Sequence, residues 1–360
     1  MMVDLHTAAR DVTALSLEAA KSCTVVIVPR ERFGVAVRSL ESVAEHNSAG
    51  VPVIYIDAAS PSHVARSLKK LCEKNGYQYC RYEEPLSPNE ARNLGWRKAH
   101  TPFVAFIDND IIVSRDWLSH LIACAEETGA AVVAPLTCQK EPIHGEIHQA
   151  GGEFAQDHRT FFSLPIEERR ITDVHVKQGE PVRDTELVQG ETQCCEFHCA
   201  LVRVGTLKKA GGLDEALLAT KEHIDFCMGV WASGERVMFE PRSVVTYLFP
   251  SRSSPLEMSD WRYFTLRWSP RWQSESLEHF QKKWGLYNDP YFEKRQGMLK
   301  WRLREAIAKP VVNKIPGISR SYRAKQAAAT IVTEALILWS KWLALRHRSS
   351  SGNAANAQPN

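Results

Sequence analysis

Short apolar runs alternate with stretches of helical periodicity along the amino-terminal part of the chain. The runs at 23–30, 51–60 and 103–107 are rich in aliphatic and β-branched residues, and the stretches after the first two carry apolar residues at helical spacing. A weaker run at 77–84 is followed by a helical stretch at 88–100. This order of strand, helix, strand and helix predicts an α/β fold with a mostly parallel sheet flanked by helices.

Two of the apolar runs end in aspartates. Asp57 lies near the end of the second run, and the triplet that begins at Asp108 and ends at Asp110 follows the third. An unbroken apolar run suits a strand that is covered on both faces, and the carboxyl ends of such strands face the ligand crevice of an open α/β sheet. Residues two apart in extended chain point to the same side. The pattern therefore indicates a ligand site for Asp108 and Asp110.

A helix cap is the alternative explanation of the triplet. Ser114 or Asp116 is suited to cap a helix that starts near Trp117, and the triplet would then be only a turn. Two strands that end in aspartates at the same edge favour the site, and Asn109 needs no role in it.

The rest of the predicted sheet is less regular. A helix at 117–129 and a strand at 130–137 precede a polar region at 139–192, which we expect to be a long loop with small strands over the crevice. A strand and a helix follow within 194–218. The next helix ends at Gly234, and strand-like sequence continues beyond it.

Composition narrows the class of protein. The chain has 360 residues, of which 44% are hydrophobic and 24% charged, so disordered and fibrous classes are excluded for most of it. Nine cysteines without regular spacing favour a reducing compartment over a disulfide framework. The first residues contain acidic side chains and no uninterrupted apolar core, which is not typical of a signal peptide. We therefore expect the protein in the cytoplasm.

Charge is distributed unevenly. Residues 291–360 hold 13 Lys and Arg against 3 Asp and Glu, a formal charge of +10, which leaves −7 for residues 1–290. Glu334 and Lys341 interrupt the longest apolar stretch, so basic amphipathic helices on an anionic membrane surface are favoured over a membrane span. Solvated or oligomerising helices are the alternative. No nucleic-acid recognition motif accompanies the charge, and we expect no nucleic-acid partner.

Four motifs in order resemble the inverting family 2 glycosyltransferases with a GT-A fold. They are "TVVIVP", "VIYIDAAS", "NEARNLGWRKAHTPFVAFIDNDIIVSRDWL" and "AGGLDEALL" with "KEHIDFCMGVWASGERVMFEPRSVV". The resemblance covers roughly residues 23–249. It implies a donor that is a nucleoside diphosphate sugar, a divalent cation (Mn²⁺ or Mg²⁺), and an acceptor hydroxyl on a saccharide or lipid-linked molecule. Polysaccharide or lipopolysaccharide assembly at the inner face of the membrane is the setting it suggests.

The resemblance also implies roles for the donor-side residues. It makes Pro29, Asp57 and Arg92 nucleotide contacts, Asp108 a ribose and metal-diphosphate ligand, and Asp110 a metal ligand. A hard cation held by carboxylates and phosphate oxygens neutralises a diphosphate leaving group, which supports these roles. An exposed helical arginine is the alternative for Arg92.

The acceptor-side motif departs from the family at two positions. The catalytic base is expected in an acidic pair, and here the pair is Glu222 and His223, with Asp225 following. Each of the three is a candidate base, and an imidazole can serve near neutral pH. The alternative is that the acidic residues only favour the helix dipole. Tyr247 stands where many relatives have a metal-binding histidine, so metal coordination is expected to rest on Asp110, phosphates and waters.

Two Cys and His clusters are discounted as metal sites. "CCEFHC" at 194–199 is too crowded for the usual zinc spacing and is predicted to be a buried strand. "HGEIH" at 144–148 is not a zinc-protease motif, and a loop near the acceptor is expected there.

Two other functions remain as alternatives to transfer. One is a catalytically degenerate nucleotide-sugar scaffold or sensor, and the other is a sugar-nucleotide pyrophosphorylase. The predicted segments are an amino-terminal extension, a GT-A domain with nucleotide and acceptor halves, a Trp-rich helical segment, a basic amphipathic helical arm and a disordered tail. Their bounds are 1–22, 23–250 (halves 23–138 and 139–250), 251–290, 291–346 and 347–360.

Overall fold

The structure is a computed structural model that describes residues 22–48, 50–251, 254–318 and 321–354, the segment 346–354 as backbone alone. The strands are β1 Cys23–Val28, β2 Val53–Ala58, β3 Gln78–Tyr82, β4 Phe103–Asp108, β5 Ile111–Val113, β6 Val132–Gln139, β7 Glu146–Gln149, β8 Gly152–Phe154, β9 Asp173–His175, β10 Gly190–Glu191, β11 Cys199–Arg203 and β12 Val237–Tyr247. The helices are α1 Ala36–His46, α2 Ser62–Asn75, α3 Pro88–Trp96, α4 Trp117–Thr128, α5 His158–Phe161, α6 Val204–Ala210, α7 Glu222–Ala232, α8 Met258–Arg267, α9 Pro270–Trp284, α10 Pro290–Gly297, α11 Trp301–Leu303, α12 Lys309–Asn313 and α13 Tyr322–Ala354, with a π-helical segment at Arg304–Ala308.

The central sheet is mostly parallel, as predicted. Its order is β10-β12-β6-β11-β4-β1-β2-β3, with β5 paired to β12 and β7 paired to β6. Strands β3, β2, β1 and β4 are parallel neighbours, and β12 is parallel to β6. Strand β11 runs antiparallel to both β4 and β6, and β5, β7 and β10 are also antiparallel to the strands they pair with. The residues just before β11 therefore lie at the same edge as the residues at the end of β4.

Both faces of the sheet are covered, which explains the unbroken apolar runs. In β1, Val25 and Ile27 belong to one core and Val26 and Val28 to the other, because successive side chains point to opposite faces. Helices α1, α2 and α4 pack on the first core, and α3, α6 and α7 on the second. The runs do not alternate between apolar and polar residues because neither face of the sheet is exposed to water.

Helix α3 approaches the sheet very closely. A Cβ atom on Gly95 would lie 2.2 Å from Cγ1 of Val26, so only glycine fits there. At the other end of the helix, Ser87 is the N-cap: its hydroxyl accepts from the backbone N–H of Glu90, whose carboxylate accepts from the backbone N–H of Ser87. These two bonds form a capping box that fixes where α3 begins.

The predicted cap after the aspartate triplet is not formed by a side chain. Helix α4 begins at Trp117 and Asp116 is its N-cap residue, but the Asp116 side chain makes no cap hydrogen bond. Asp108 ends β4 instead, and β5 starts directly after Asp110. The triplet is therefore a tight connection between two strands.

Residues 139–192 form short elements, in line with the expected loop with small strands. Strand β7 extends the main sheet beside β6, and β8 and β9 form a separate two-stranded sheet. The "HGEIH" stretch is thus partly a strand, since β7 begins at Glu146, and not the loop that was expected there.

The helices after β12 pack on one another and on the body. Leu336 and Ile337 of α13 contact the same cluster as Phe264 of α8. Among the described residues, one helix, Tyr322–Leu345, is long and apolar enough to cross a membrane, and 39% of its apolar stretch is buried. The predicted tail at 347–360 falls partly on the end of α13, and both 355–360 and most of the predicted amino-terminal extension lie outside the described residues.

Candidate active site

The site is built at the carboxyl ends of β1, β2 and β4. Pro29 and Arg30 directly follow β1, Asp57 is the last residue but one of β2, and the Asp108–Asp110 triplet begins with the last residue of β4. Because parallel strands bring these ends to one edge, residues that are far apart in the chain become neighbours. Pro29 is buried, and its carbonyl oxygen accepts a hydrogen bond of 3.3 Å from the hydroxyl of Tyr263.

Asp108 is held by cations. One carboxylate oxygen accepts from Arg92 at 2.8 Å, and the other lies 3.3 Å from Nε of Arg30 and 3.2 Å from Nδ1 of His198. Burial alone would raise the pKa of Asp108, but the charges of Arg92 and Arg30 outweigh it and hold this pKa at about 2. Arg92 is fully buried with its guanidinium 4.7 Å from the ring centre of Phe197, so it is not an exposed helical arginine.

Asp110 has the opposite environment. Both of its carboxylate oxygens are buried, and neither is reached by a hydrogen-bond donor of the described residues. Burial and the neighbouring charge of Asp108 raise the pKa of Asp110 to about 7. A buried carboxylate without donors is costly unless a cation neutralises it, so this residue fits a metal ion.

Asn109 has a structural task that the sequence did not indicate. Its side-chain oxygen accepts from the backbone N–H of Arg30 at 2.9 Å, and its own N–H donates to Val28. These bonds fix the end of β1 against the end of β4.

Asp57 is enclosed by its neighbours in the sheet. It accepts hydrogen bonds from Arg81 at 2.7 Å, from the hydroxyl of Ser60 at 2.8 Å, and from Tyr79. The carboxylate thereby orders the polar side chains at the end of β3.

The start of α7 brings Glu222 to the same edge. Its carboxylate accepts from Arg267 of α8 at 2.9 Å and lies 3.8 Å from Arg30. Burial would raise the pKa of Glu222, but the charge of Arg267 and other nearby cations lower it. Lys221, just before the helix, has a left-handed backbone with φ of 70°.

His223 and Asp225 differ in their partners. His223 is partly buried and forms no hydrogen bond to any described residue; loss of hydration lowers its pKa to about 4, so the imidazole is neutral. Asp225 accepts from Lys283 and from the indole N–H of Trp284 of α9, each at 2.8 Å. The structure thus engages Asp225 with α9 and not with the arginines around Glu222.

A histidine that the sequence analysis discounted lies in the site. His198 is in the turn before β11, and its metal-binding atom lies within 4.8 Å of those of Asp108 and Asp110. The cysteines of "CCEFHC" are buried as predicted, but only Cys199 is on the strand. The sequence led to the expectation that metal coordination rests on Asp110, phosphates and waters; the reversed strand β11 adds an imidazole beside the two aspartates.

Tyr247 supports that imidazole. Its ring stacks on His198 with centroids 4.1 Å apart and planes inclined by 27°. Its hydroxyl donates to Glu31 at 3.0 Å. At the position where many relatives were expected to have a histidine, the tyrosine thus packs against the imidazole of His198.

Two arginines of the site, Arg30 and Arg267, were not predicted from the sequence. Arg30 follows a predicted strand, so the rule that named Asp57 and Asp108 would have found it. Arg267 carries no comparable signal, since it lies on a helix far along the chain that reaches the site only through packing.

The family follows from a match over more than half of the chain. The model of "Glycosyl transferase family 2" matches residues 24–209, which include both aspartate-ending strands and β11. The chain belongs to glycosyl transferase family 2. The match supports neither the scaffold nor the pyrophosphorylase alternative.

The relatives of this family member that share its sequence are distant. It is 26% identical over 161 residues to the pre-mycofactocin glycosyltransferase of Mycobacterium tuberculosis (strain H37Rv), covering 44% of this chain and 30% of the relative. It is 22% identical over 199 residues to an uncharacterized glycosyltransferase of Rickettsia felis, covering 54% and 32%. The chain thus spans about a third of the length of these curated relatives.

A solved structure shares the fold. GalNAc-T7 with UDP, GalNAc and Mn²⁺ superposes with a TM-score of 0.50 at 17% identity, over 82% of this chain and 58% of the other. The predicted GT-A fold, a mostly parallel sheet flanked by helices, is confirmed. The roles of the individual site residues and the domain bounds remain predictions.

Proposed function

We propose that this glycosyltransferase moves a sugar from a nucleoside diphosphate sugar to a hydroxyl of a saccharide or lipid-linked acceptor, with inversion, in cell-surface polysaccharide assembly. The observation that carries the proposal is Asp110. Its two buried oxygens lack donors among the described residues and lie beside Asp108 at the ligand edge of the sheet. Basic side chains of Arg30 and Arg92 line the same edge, which suits an anionic ligand.

The proposed cation is Mn²⁺ or Mg²⁺, held by Asp110 and Asp108 with His198 as a third protein ligand. When bound, such an ion neutralises charge on a diphosphate leaving group. Arg30 and Arg92 remain available to orient the diphosphate oxygens, since a guanidinium has several donors. We assign Pro29 and Asp57 to the nucleotide, with Asp57 at the base or ribose.

Among the candidate bases, the surroundings favour His223. Its imidazole is neutral and free of hydrogen bonds to described residues, so it can accept the proton of the acceptor hydroxyl. Negative charge on Glu222 and Asp173 raises its affinity for that proton, although burial opposes them. Glu222 is occupied by Arg267, and Asp225 by α9, so both are second choices.

The experiment that tests the function is a donor panel. UDP-, GDP- and dTDP-sugars are incubated with the protein and membrane extract as acceptor, with Mn²⁺ or with EDTA. We expect one donor to turn over only with the cation, and Asp110→Asn to lower kcat/KM by roughly 10²-fold or more. Asp116→Asn is the matched control, since Asp116 is exposed and has no cap hydrogen bond, and it should leave transfer unchanged.

Two outcomes would reject the proposal. One is full transfer by Asp110→Asn. The other is a wild type that binds a donor without releasing or transferring the sugar, together with unchanged donor binding by His223→Ala. That outcome would favour the scaffold alternative.

We propose further that the protein is cytoplasmic and binds the inner face of the membrane through residues 291–346. Ile331, Leu338 and Leu345 are each at least 64% exposed and recur every seven residues, which places them on one face of α13. Such an apolar face with surrounding basic charge suits an anionic leaflet. Co-sedimentation with vesicles that contain anionic lipid should fall on Leu338→Ser; concentration-dependent self-association without vesicle binding would favour oligomerising helices.

A further inference from the structure

A second cluster of metal-binding side chains lies behind the donor-side aspartates. It consists of His148 on β7, His175 at the end of β9 and Glu196 in the turn before β11. One oxygen of Glu196 is 3.0 Å from Nε2 of His148, and the other is 3.5 Å from Nε2 of His175. The two imidazole rings are 4.9 Å apart and nearly perpendicular. None of these three residues is a cation ligand or the base in the proposed transfer.

The proton on His148 can be located from its neighbours. The amide nitrogen of Gln139 donates to Glu146 at 2.5 Å, which leaves its oxygen facing Nδ1 of His148 at 3.1 Å. Nδ1 of His148 must therefore carry the proton and donate it to Gln139. The lone pair of Nε2 then points at the carboxylate of Glu196.

Two lone pairs facing each other at this distance repel unless a cation lies between them. A metal ion removes the conflict, since it binds neutral imidazole and carboxylate together. A ligand histidine whose other nitrogen donates to a fixed acceptor is the usual arrangement around bound metals.

We propose that His148, His175 and Glu196 form a zinc-binding site separate from the donor-side cation site. The three ligand atoms lie within 4.8 Å of one another. In a tetrahedral site with bonds of about 2.0–2.1 Å, neighbouring ligands are about 3.3–3.4 Å apart, so small side-chain shifts would bring the three atoms around one ion. Two histidines and one glutamate are a ligand set that zinc accepts.

The surroundings also provide access and support. The side chains of His175 and Glu196 each keep 15% of their exposure, which leaves an entry path from solvent. Nε2 of His198 contacts Glu196 at 2.7 Å, so this imidazole links the second site to Asp108 without being one of the three ligands. Bound zinc would tie β7 and β9, both within the loop region 139–192, to the turn before β11.

Metal content of the full-length protein tests the site without any donor. The wild type, dialysed against zinc and then against buffer, should retain about one zinc per chain by elemental analysis. His175→Ala should lose it, and His63→Ala, an exposed histidine on α2, should not. Asp110→Asn should also keep the zinc, which separates this result from failure of the proposed transfer function.

Two further measurements keep the inference open to refutation if a variant misfolds. Cobalt added to the wild type should give the strong visible absorption of a tetrahedral site. Gln139→Leu keeps all three ligands but should weaken zinc binding by roughly 10–100-fold. Absence of bound zinc and of the cobalt spectrum in the wild type, or loss of zinc from Asp110→Asn with retention by His175→Ala, would overturn the proposal.

Discussion

Replacing Arg92 should cost far more stability than replacing Arg97 near the end of the same helix. Both arginines pair with a carboxylate and lie over an aromatic ring. They differ in burial: Arg92 and Asp108 have side-chain exposures of 0% and contact at 2.8 Å, whereas Arg97 and Glu215 are 50% and 46% exposed at 3.6 Å. The comparison isolates the effect of burying an ion pair.

The expected magnitudes follow from that difference. Removing one partner of a buried pair costs about 3–5 kcal/mol, because the other charge is left without water or partner. Arg30 and His198 still contact Asp108, so we expect about 3 kcal/mol for Arg92→Met. An exposed pair contributes about 0–1 kcal/mol, and Arg97→Met should lie in that range.

Urea unfolding at neutral pH, followed by tryptophan fluorescence, gives both free energies by linear extrapolation. Methionine keeps most of the arginine stem, so the measurement reports mainly the lost charge. Equal losses of unfolding free energy for the two variants would show that burial does not increase the contribution of the Arg92 and Asp108 pair to stability. The reasoning from burial would then be wrong.

Further predictions concern a close packing contact and the base. Gly95→Ala should destabilise the protein by about 1–3 kcal/mol, because the new Cβ would collide with Val26. Gly229→Ala should stabilise α7 by about 0.5–1 kcal/mol, because a Cβ there meets nothing within 4 Å. Urea unfolding measures both changes. If His223 is the base, kcat/KM should rise with pH through about 4 and be level by about pH 5, since its pKa is lowered and the neutral ring is the active form. An acid limb at the ordinary histidine pKa of about 6.5 would contradict the lowered pKa. Undiminished transfer by His223→Gln would contradict the role of His223 as the base.

Apolar runs and their polar ends were enough to predict the fold and half of the candidate site. The runs predicted β1, β2 and β4 because both faces of these strands are buried and no alternation blurs the pattern. Asp57 and Asp108 follow from the same logic, since parallel strands end at one edge.

His198 was missed because the sheet is not wholly parallel. Strand β11 is antiparallel to β4, so its first residues, rather than its last, reach the ligand edge. A strand direction cannot be read from an apolar run alone, and the crowded cysteines around His198 made a core interpretation natural. Arg267 was missed for another reason, because only tertiary packing of α8 brings it to Glu222.

The complete burial of Asp110 has a consequence for the timing of catalysis. Arg30 and Tyr247 lie close around this carboxylate and are themselves held, by Asp108 and by Glu31. If Asp110 holds the donor's cation as proposed, a donor can reach it only after such neighbours move, and association should be slower than a simple encounter. The same enclosure would then retard departure, so escape of the spent nucleotide, rather than the chemical step, is expected to limit turnover.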